Sequence, residues 1–533
     1  MNHWIIAPVL LPALMGALII LWMRHDLFLQ RVFGLIATGL LLFVSIYLLW
    51  LASDGDVRVY RLGNWRAPFG IVLMLDRLAA IMLTLTSILA LVVQLYAFGS
   101  GWDRKGWHFH ALWQFQLMGI GGAFLTGDAF NLFVFFEVLL IASYGLMIHG
   151  GGPMRLRAGV QYIAYNLAGS TLFLGALGAI YAATGTLNMA DLALRVAEMS
   201  PDDTALLRTG AVLLMLVFAV KAAIFPLHFW LPSTYANAPG PTAALFAIMS
   251  KVGVYAIIRF FTLVFPQDSV VETIATDLLL PAALFTLALG QIAVAGTRSL
   301  TRMAAYAAIA SIGTLMISVA RFSPEGLSAG LYYMIHSTLA TGALFLVVDL
   351  IAARRGGDVW LRLRPAIKNT GIVSALFFTT AIAIAGLPPL SGFIGKLLIL
   401  DATAEDPWMG WIWGTILITS LFAIVGFGRA GSMLFWKSHT LDPEPGNDTD
   451  EGPRPAPGPI PTKLDTDEQI QDVADSASPG LAFTSVFMLL GCLAMLTLAA
   501  GPVTQYLSDT TTQMLTPQLY IESVIEQQEG ARP

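Results

Sequence analysis

Charge is what this chain has least of: only 12% of its 533 residues are Asp, Glu, Lys or Arg, 34 acidic against 29 basic. Length alone would suggest about three or four soluble domains of roughly 150 residues. So few charges cannot solvate that much surface. With 56% hydrophobic residues and a mean hydropathy of +0.72, the chain belongs in a membrane, where lipid-facing helices need no polar coat. Cysteine is nearly absent. Cys492 stands alone, which excludes an intrachain disulfide and any cysteine-only zinc or iron–sulfur site, so redox chemistry would need another subunit. No cofactor or metal is expected. No basic stripe is present either, which argues against nucleic acid as a partner. The opening Met1-Asn2-His3-Trp4 enters an apolar run without a basic stretch or a cleavage site, and that run is expected to be kept as a first span.

What is present is a series of apolar stretches long enough to cross about 30 Å of hydrocarbon. Fourteen are expected, near residues 4–22, 31–51, 77–99, 110–126, 129–148, 160–184, 207–230, 240–264, 278–296, 301–320, 327–352, 371–401, 408–436 and 481–500. They predict an all-α fold, a polytopic transmembrane helix bundle. Lysine and arginine crowd the loops after odd-numbered spans, Arg24, Arg31, Arg104, Lys105, Arg155, Arg157, Arg354 and Arg355 among them. Those loops are read as cytoplasmic and both termini as external.

Two spans carry matching interruptions. Span seven ends in Phe225-Pro226-Leu227-His228-Phe229-Trp230-Leu231-Pro232, and span twelve contains Gly386-Leu387-Pro388-Pro389-Leu390-Ser391-Gly392. Proline removes a backbone donor and breaks the helix, and in lipid the freed carbonyls are tolerated only against protein or a wet cavity. Paired breaks point to a transport site between two inverted repeats, expected over spans four to eight and nine to thirteen. The chain then divides into N-terminal spans with an external loop (1–126), a first repeat core (127–264), a second repeat (277–437), an acidic Pro-rich cytoplasmic linker (438–478), and a last span with an external tail (479–533). The tail from Thr504 is expected to be loosely ordered, and Val57-Arg58-Val59-Tyr60-Arg61 alternates as a short external hairpin would.

Five ionisable residues fall inside apolar runs: Glu137, Lys221, Lys251, His336 and Lys396. Each costs about 2.5–3.5 kcal/mol near a bilayer centre, so five need a reason. One reading is that they line a hydrated path; for any single residue the alternative is a structural salt bridge or a side chain snorkelling to the headgroups. Burial and a nearby carboxylate pull a lysine's proton affinity in opposite directions, which lets a buried lysine gain or lose a proton as its partner moves. Three lysines and a histidine therefore make a proton relay more economical than unrelated anchors. His228 would lie two turns from Lys221 on an unbroken helix. Pro226 intervenes, however, and capping freed carbonyls explains His228 equally well. Arg259 reads as snorkelling at the end of span eight, and Asp349 and Asp401 as interfacial. His108-Phe109-His110 puts its imidazoles on different sides of a helix, unlike a metal site. Gly119-Ile120-Gly121-Gly122 reads as close helix packing.

Long motifs in three regions then resemble one family. They are Gly127-Asp128-Ala129-Phe130-Asn131-Leu132-Phe133-Val134-Phe135-Phe136-Glu137, the block from Lys221 through His228 to Lys251-Val252-Gly253-Val254-Tyr255, and Gly386 through Ser391-Gly392-Phe393-Ile394-Gly395-Lys396. The chain resembles the antiporter-like proton-translocating subunits shared by respiratory complex I, membrane hydrogenases and the Mrp-type multisubunit Na⁺/H⁺ antiporters. Its helix-five wording is more similar to D-type Mrp subunits than to complex I chains, and Lys396 departs from the M-type complex I chain, which carries a glutamate there. The resemblance implies an ion pair between Glu137 and Lys221 on helices five and seven, a central axis continued by Lys251, His336 on a broken helix eleven, and Lys396 as the terminal charge on helix twelve. It also implies a transporter subunit rather than an enzyme, in a bacterial cell membrane, assembled with other Mrp subunits and exchanging protons for Na⁺ or K⁺. The alternative it leaves is a proton-pumping subunit of an NADH:quinone oxidoreductase or membrane hydrogenase. The acidic insert at 438–478 is no part of the family's core pattern.

Overall fold

The computed structural model describes residues 2–65, 69–199, 204–265, 272–440 and 479–525. Apart from one two-stranded hairpin these residues form helices, and eleven helices are long and apolar enough to cross a membrane. The other three expected spans appear as shorter helices: α1 (Ala7–Trp22), α4 (Phe109–Leu125) and α14 (Thr370–Ala385). Between α1 and α4 run α2 (Leu27–Ala52) and α3 (Arg77–Ser100); α5 (Ala129–Met147) and α6 (Pro153–Thr184) follow. The hairpin lies where the alternating pattern put it, with β1 (Arg58–Arg61) antiparallel to β2 (Val72–Leu75) and Arg58 opposite Leu75. A short α7 (Met189–Glu198), capped by Asn188, was not expected.

Both Pro-rich segments divide their spans. α8 (Ala205–Ala222) stops at Ala223, whose φ of 58° is left-handed, and resumes as α9 (Trp230–Asn237). α14 stops at Gly386, φ 77°, and resumes as α15 (Ser391–Ala402). The peptides Phe225-Pro226 and Pro388-Pro389 are both cis. Carbonyls released by the breaks find donors inside the protein: Trp230 Nε1 donates to Val220 O at 2.8 Å, and Lys396 Nζ to Ala385 O at 2.7 Å.

The centre is built from α3, α10 (Gly240–Arg259), α12 (Leu300–Val319) and α13 (Pro324–Arg354), around which α11 (Glu272–Gly296), α16 (Met409–Gly431) and α17 (Pro479–Leu498) stand with more of their surface exposed. α10 is buried along the whole of its apolar window. A helix apolar all round is a core helix, and Lys251 rides on this one.

Two expectations are corrected. α13 runs unbroken from Pro324 to Arg354, so helix eleven has no interruption; it holds no interior proline, and Ser337 and Thr338 direct their hydroxyls to Met334 O within the turn. The tail is not loose as far as residue 525. It forms α18 (Ala500–Met514) and α19 (Pro517–Ile525), tied down by Arg77–Asp509 at 3.0 Å, Arg61 to Val524 O at 3.0 Å and Gln513 Nε2 to Gly55 O at 2.7 Å. Leu507, Thr510, Thr511 and Met514 recur at helical spacing and turn inward, a periodicity that polar composition concealed. The linker expected at 438–478 lies, from residue 441, outside the described residues.

Candidate ion-translocation site

Glu137 and Lys221 do not touch. Glu137, half-buried on α5, accepts a hydrogen bond from Ser170 Oγ of α6; one turn earlier on α6, Asn166 Oδ1 accepts from Lys221 Nζ at 3.2 Å. The direct ion pair implied by the resemblance is thus replaced by a bridge of two neutral side chains, because α6 supplies hydrogen-bonding groups at i and i+4 to both charges. Lys221 occupies the last turn of α8, where the carbonyl end of the helix favours a cation. Its ammonium also stands 5.8 Å from the centre of the Phe136 ring.

Lys251 is fully buried, and its Nζ has no hydrogen-bond partner among the described residues. A dry ammonium in that position would be very costly, so a charged Lys251 has to be hydrated. Gly253 brings α10 against the end of α8: a Cβ there would stand 2.6 Å from Ala222 N. Backbone contact between the two helices therefore sets the lateral position of Lys251.

His336 and Lys396 meet the second break from both sides. His336 Nδ1 lies 2.9 Å from Ser391 Oγ, at the start of α15, and a Cβ on Gly392 would come within 2.8 Å of His336 Nε2. Gln291, Ser311, Tyr333, Ser337 and Thr341 join His336 around a polar cavity of about 10 Å³, room for about one water. Lys396, from the second half-helix, reaches back to Ala385 O and to Ser420 Oγ at 2.8 Å. It caps one half-helix while belonging to the other.

His228 is not brought into this row. It stacks on Phe229 at 4.6 Å and lies tilted against Phe225 at 5.9 Å, and its Nδ1 bonds to nothing among the described residues; the freed carbonyl goes to Trp230 instead. Arg259 does not snorkel. It is buried and pairs with Asp76 at 2.5 Å and 2.9 Å, with Tyr255 Oη at 3.0 Å, because the N-cap of α3 delivers a carboxylate to the end of α10. Asp349 is half-buried and Asp401 exposed. Sequence reasoning missed Asn166 and Ser170, whose only signal was their spacing of four on an apolar helix.

A helix bundle with two spans broken by proline and protonatable side chains buried between them defines a class, the polytopic ion-translocating membrane subunits. The model of the family described as NADH:quinone oxidoreductase/Mrp antiporter, TM, matches residues 126–424, and the chain belongs to that family. It is 38% identical to the D subunit of a probable K⁺/H⁺ antiporter of Rhizobium meliloti, over 98% of each chain. It is 35% identical to the D subunit of the Na⁺/H⁺ antiporter of Bacillus subtilis, over 99% of this chain and 100% of the relative. Among solved structures, a chain of the Mrp complex from Dietzia sp. DQ12-45-1b matches with a TM-score of 0.85 and 26% identity, covering 98% of this chain and 100% of that one. A chain of respiratory complex I from Thermus thermophilus shares the fold, with a TM-score of 0.75, 24% identity, and coverage of 96% and 100%.

Proposed function

We propose that this chain is a proton-translocating subunit of a multisubunit monovalent cation/proton antiporter of the Mrp type, working with other Mrp subunits in a bacterial cell membrane. The observation that carries this reading is the succession Glu137–Ser170, Asn166–Lys221, Lys251, His336–Ser391 and Lys396 inside the bundle. Proton entry, driven by about 2.3 kcal/mol per charge per 100 mV, is coupled to export of Na⁺ or K⁺. Glu137 modulates the charge on Lys221 through Ser170 and Asn166, and Lys251, His336 and Lys396 pass the proton onward through water. Full-length likeness to subunits named for both Na⁺/H⁺ and K⁺/H⁺ exchange supports the antiporter reading. The likeness to complex I extends to the fold alone and gives no reason to prefer a redox-driven pump.

In the same reading spans four to eight and nine to thirteen are inverted repeats with one broken helix in each, the first with its core over 127–264 and the second over 277–437. The arginine-rich loops face the cytoplasm, both termini face outward, and 438–478 is a cytoplasmic connector. The deciding experiment reconstitutes the complete set of subunits in vesicles and follows Na⁺- and K⁺-dependent dissipation of ΔpH. Lys221→Ala should insert normally and abolish exchange; full exchange at normal expression would remove the relay.

A further inference from the structure

A cavity of about 900 Å³ opens between the ends of α3, α6, α9, α10, α13 and α17, on the face of the arginine-rich loops. Its walls carry Lys105, Arg155 and Arg354, and one carboxylate, Asp349, stands among them. Tyr96 Oη donates to Asp349 Oδ2 at 2.8 Å and Trp102 Nε1 donates to the same oxygen at 3.0 Å. Gly240, the first residue of α10, lies so near that a Cβ would stand 2.5 Å from Asp349 Oδ1. The carboxylate therefore sits at the N-terminal end of the helix that carries Lys251, where backbone N–H groups favour negative charge. Its neighbouring cations are engaged elsewhere. Lys105 and Arg155 lie over the Trp102 ring at 3.7 Å and 5.1 Å, Arg155 donates to Asn237 O and His149 O, and Arg354 donates to Leu350 O. Among the described residues Asp349 forms no ion pair, as a merely structural aspartate beside three cations would be expected to do.

From this vestibule a polar line leads inward. Tyr235 forms part of the wall and packs on Phe345, one turn before Asp349 on α13, at 5.9 Å. Its hydroxyl donates to Phe246 O at 2.7 Å and lies beside Ser250. Lys251 Nζ, on the residue after Ser250, is buried with no hydrogen-bond partner among the described residues, and a buried polar group of that kind is satisfied by water when charged.

We propose that Asp349 is the proton-exchanging group at the mouth of the relay, connecting the water of the vestibule to Lys251 by way of Tyr235 and Ser250. The proposal rests on the relay reading above. In the releasing direction the Lys251 ammonium gives a proton to water, the Tyr235 hydroxyl accepts one proton as it gives up its own, and the Asp349 carboxylate takes up a proton and returns it to the vestibule. Only N–H and O–H bonds change.

The test uses the whole complex in vesicles, following cation-dependent dissipation of ΔpH. Asp349→Asn keeps the size and most hydrogen bonds of the side chain, and should lower exchange at least about tenfold at normal membrane level, with part recovered in Asp349→Glu. Tyr235→Phe should slow exchange severalfold. A second arm places Ala238→Cys, on the vestibule wall, in a Cys492→Ser background; a membrane-impermeant thiol reagent applied from the side of the arginine-rich loops should block exchange. Normal exchange in Asp349→Asn, or undiminished exchange after complete thiol labelling, would overturn the proposal. If Asp349→Asn fails to accumulate, the labelling arm decides. Lys251→Ala run in parallel separates the two readings: its loss of exchange beside a normal Asp349→Asn sinks only the vestibule proposal, whereas full exchange in Lys251→Ala sinks the relay itself.

Discussion

Asn166 and Ser170 stand one turn apart on α6 and hold Lys221 and Glu137 at arm's length. A hydrogen bond to a charged group is worth about 1.5–3 kcal/mol, so Asn166→Ala and Ser170→Ala should each slow exchange by roughly 10- to 100-fold while membrane levels stay normal. Glu137→Asp, which shortens the reach to Ser170 by one methylene, should keep part of the activity, and Glu137→Ala none. Rates measured in vesicles at matched protein content check all four variants; unchanged rates in both α6 variants would show that the two charges communicate by another route. A second residue-scale expectation concerns Asp103, in the turn between α3 and α4 outside the spans. Burial pushes its carboxyl up, but hydrogen bonds from His110 and Arg31 and their charges outweigh burial and hold it below the usual 3.8. A depressed carboxylate contributes stability that is complete above 3.8 and is lost as pH falls through the lower folded value. Thermal stability in detergent should therefore drop below about pH 4, and Asp103→Asn should lower Tm at pH 7 and flatten that acid limb. The five ionisable residues inside apolar runs were legible in the sequence because each is expensive in lipid. Asn166 and Ser170 were not, since neutral polar residues in an apolar helix cost little and bond locally. Arg259 was misread because its partner, Asp76, lies 183 positions away.

α8 and α10 approach to backbone contact at Gly253, and the contact places Lys251 beside the end of the helix that bears Lys221. Gly253→Leu would wedge the two helices apart, since its side chain must enter the space held by Ala222 and Lys221. We expect normal insertion, because hydropathy is unharmed, together with a loss of exchange of at least about 100-fold, as a displacement near 1 Å can cost. Insertion scored by protease protection and exchange scored in vesicles separate the two effects; full exchange would mean that the relay tolerates a wider spacing. At this scale the breaks in α8/α9 and α14/α15 were written in their prolines. The continuity of α13 was not, because the expectation of a break there came from resemblance rather than from any proline in its middle. The tail helices α18 and α19 were hidden for a different reason: the inward face of α18 is built partly from Thr510 and Thr511, which hydropathy does not count as apolar.

At the scale of the whole molecule, Lys105, Arg155 and Arg354 line the cavity that holds Asp349, and the proposed orientation puts these residues on the cytoplasmic side. A reporter fused after Arg355 should report the cytoplasm and one fused beyond residue 525 the outside. Reporters placing the two sites on the same side would overturn the arrangement of the spans.

Tyr520 of α19 lies over Arg259 at 5.5 Å, closing a site whose carboxylate, Asp76, and cation, Arg259, are contributed by much earlier parts of the chain. Ribosomes add about 5–20 residues per second, so more than roughly 20 s separate the synthesis of Asp76 from that of Tyr520. Arg259 follows Asp76 by 183 positions, so for at least about 13 s, from the synthesis of Arg259 to that of Tyr520, the pair is without the ring that will cover it. A late helix thus seals a joint begun by much earlier ones. A chain cut short by damage or premature termination would carry its defect at the Asp76–Arg259 joint, where a quality-control protease can find it long before any failure of transport is felt. Pulse-labelled chains ending before residue 500 should accordingly be degraded faster than full-length ones.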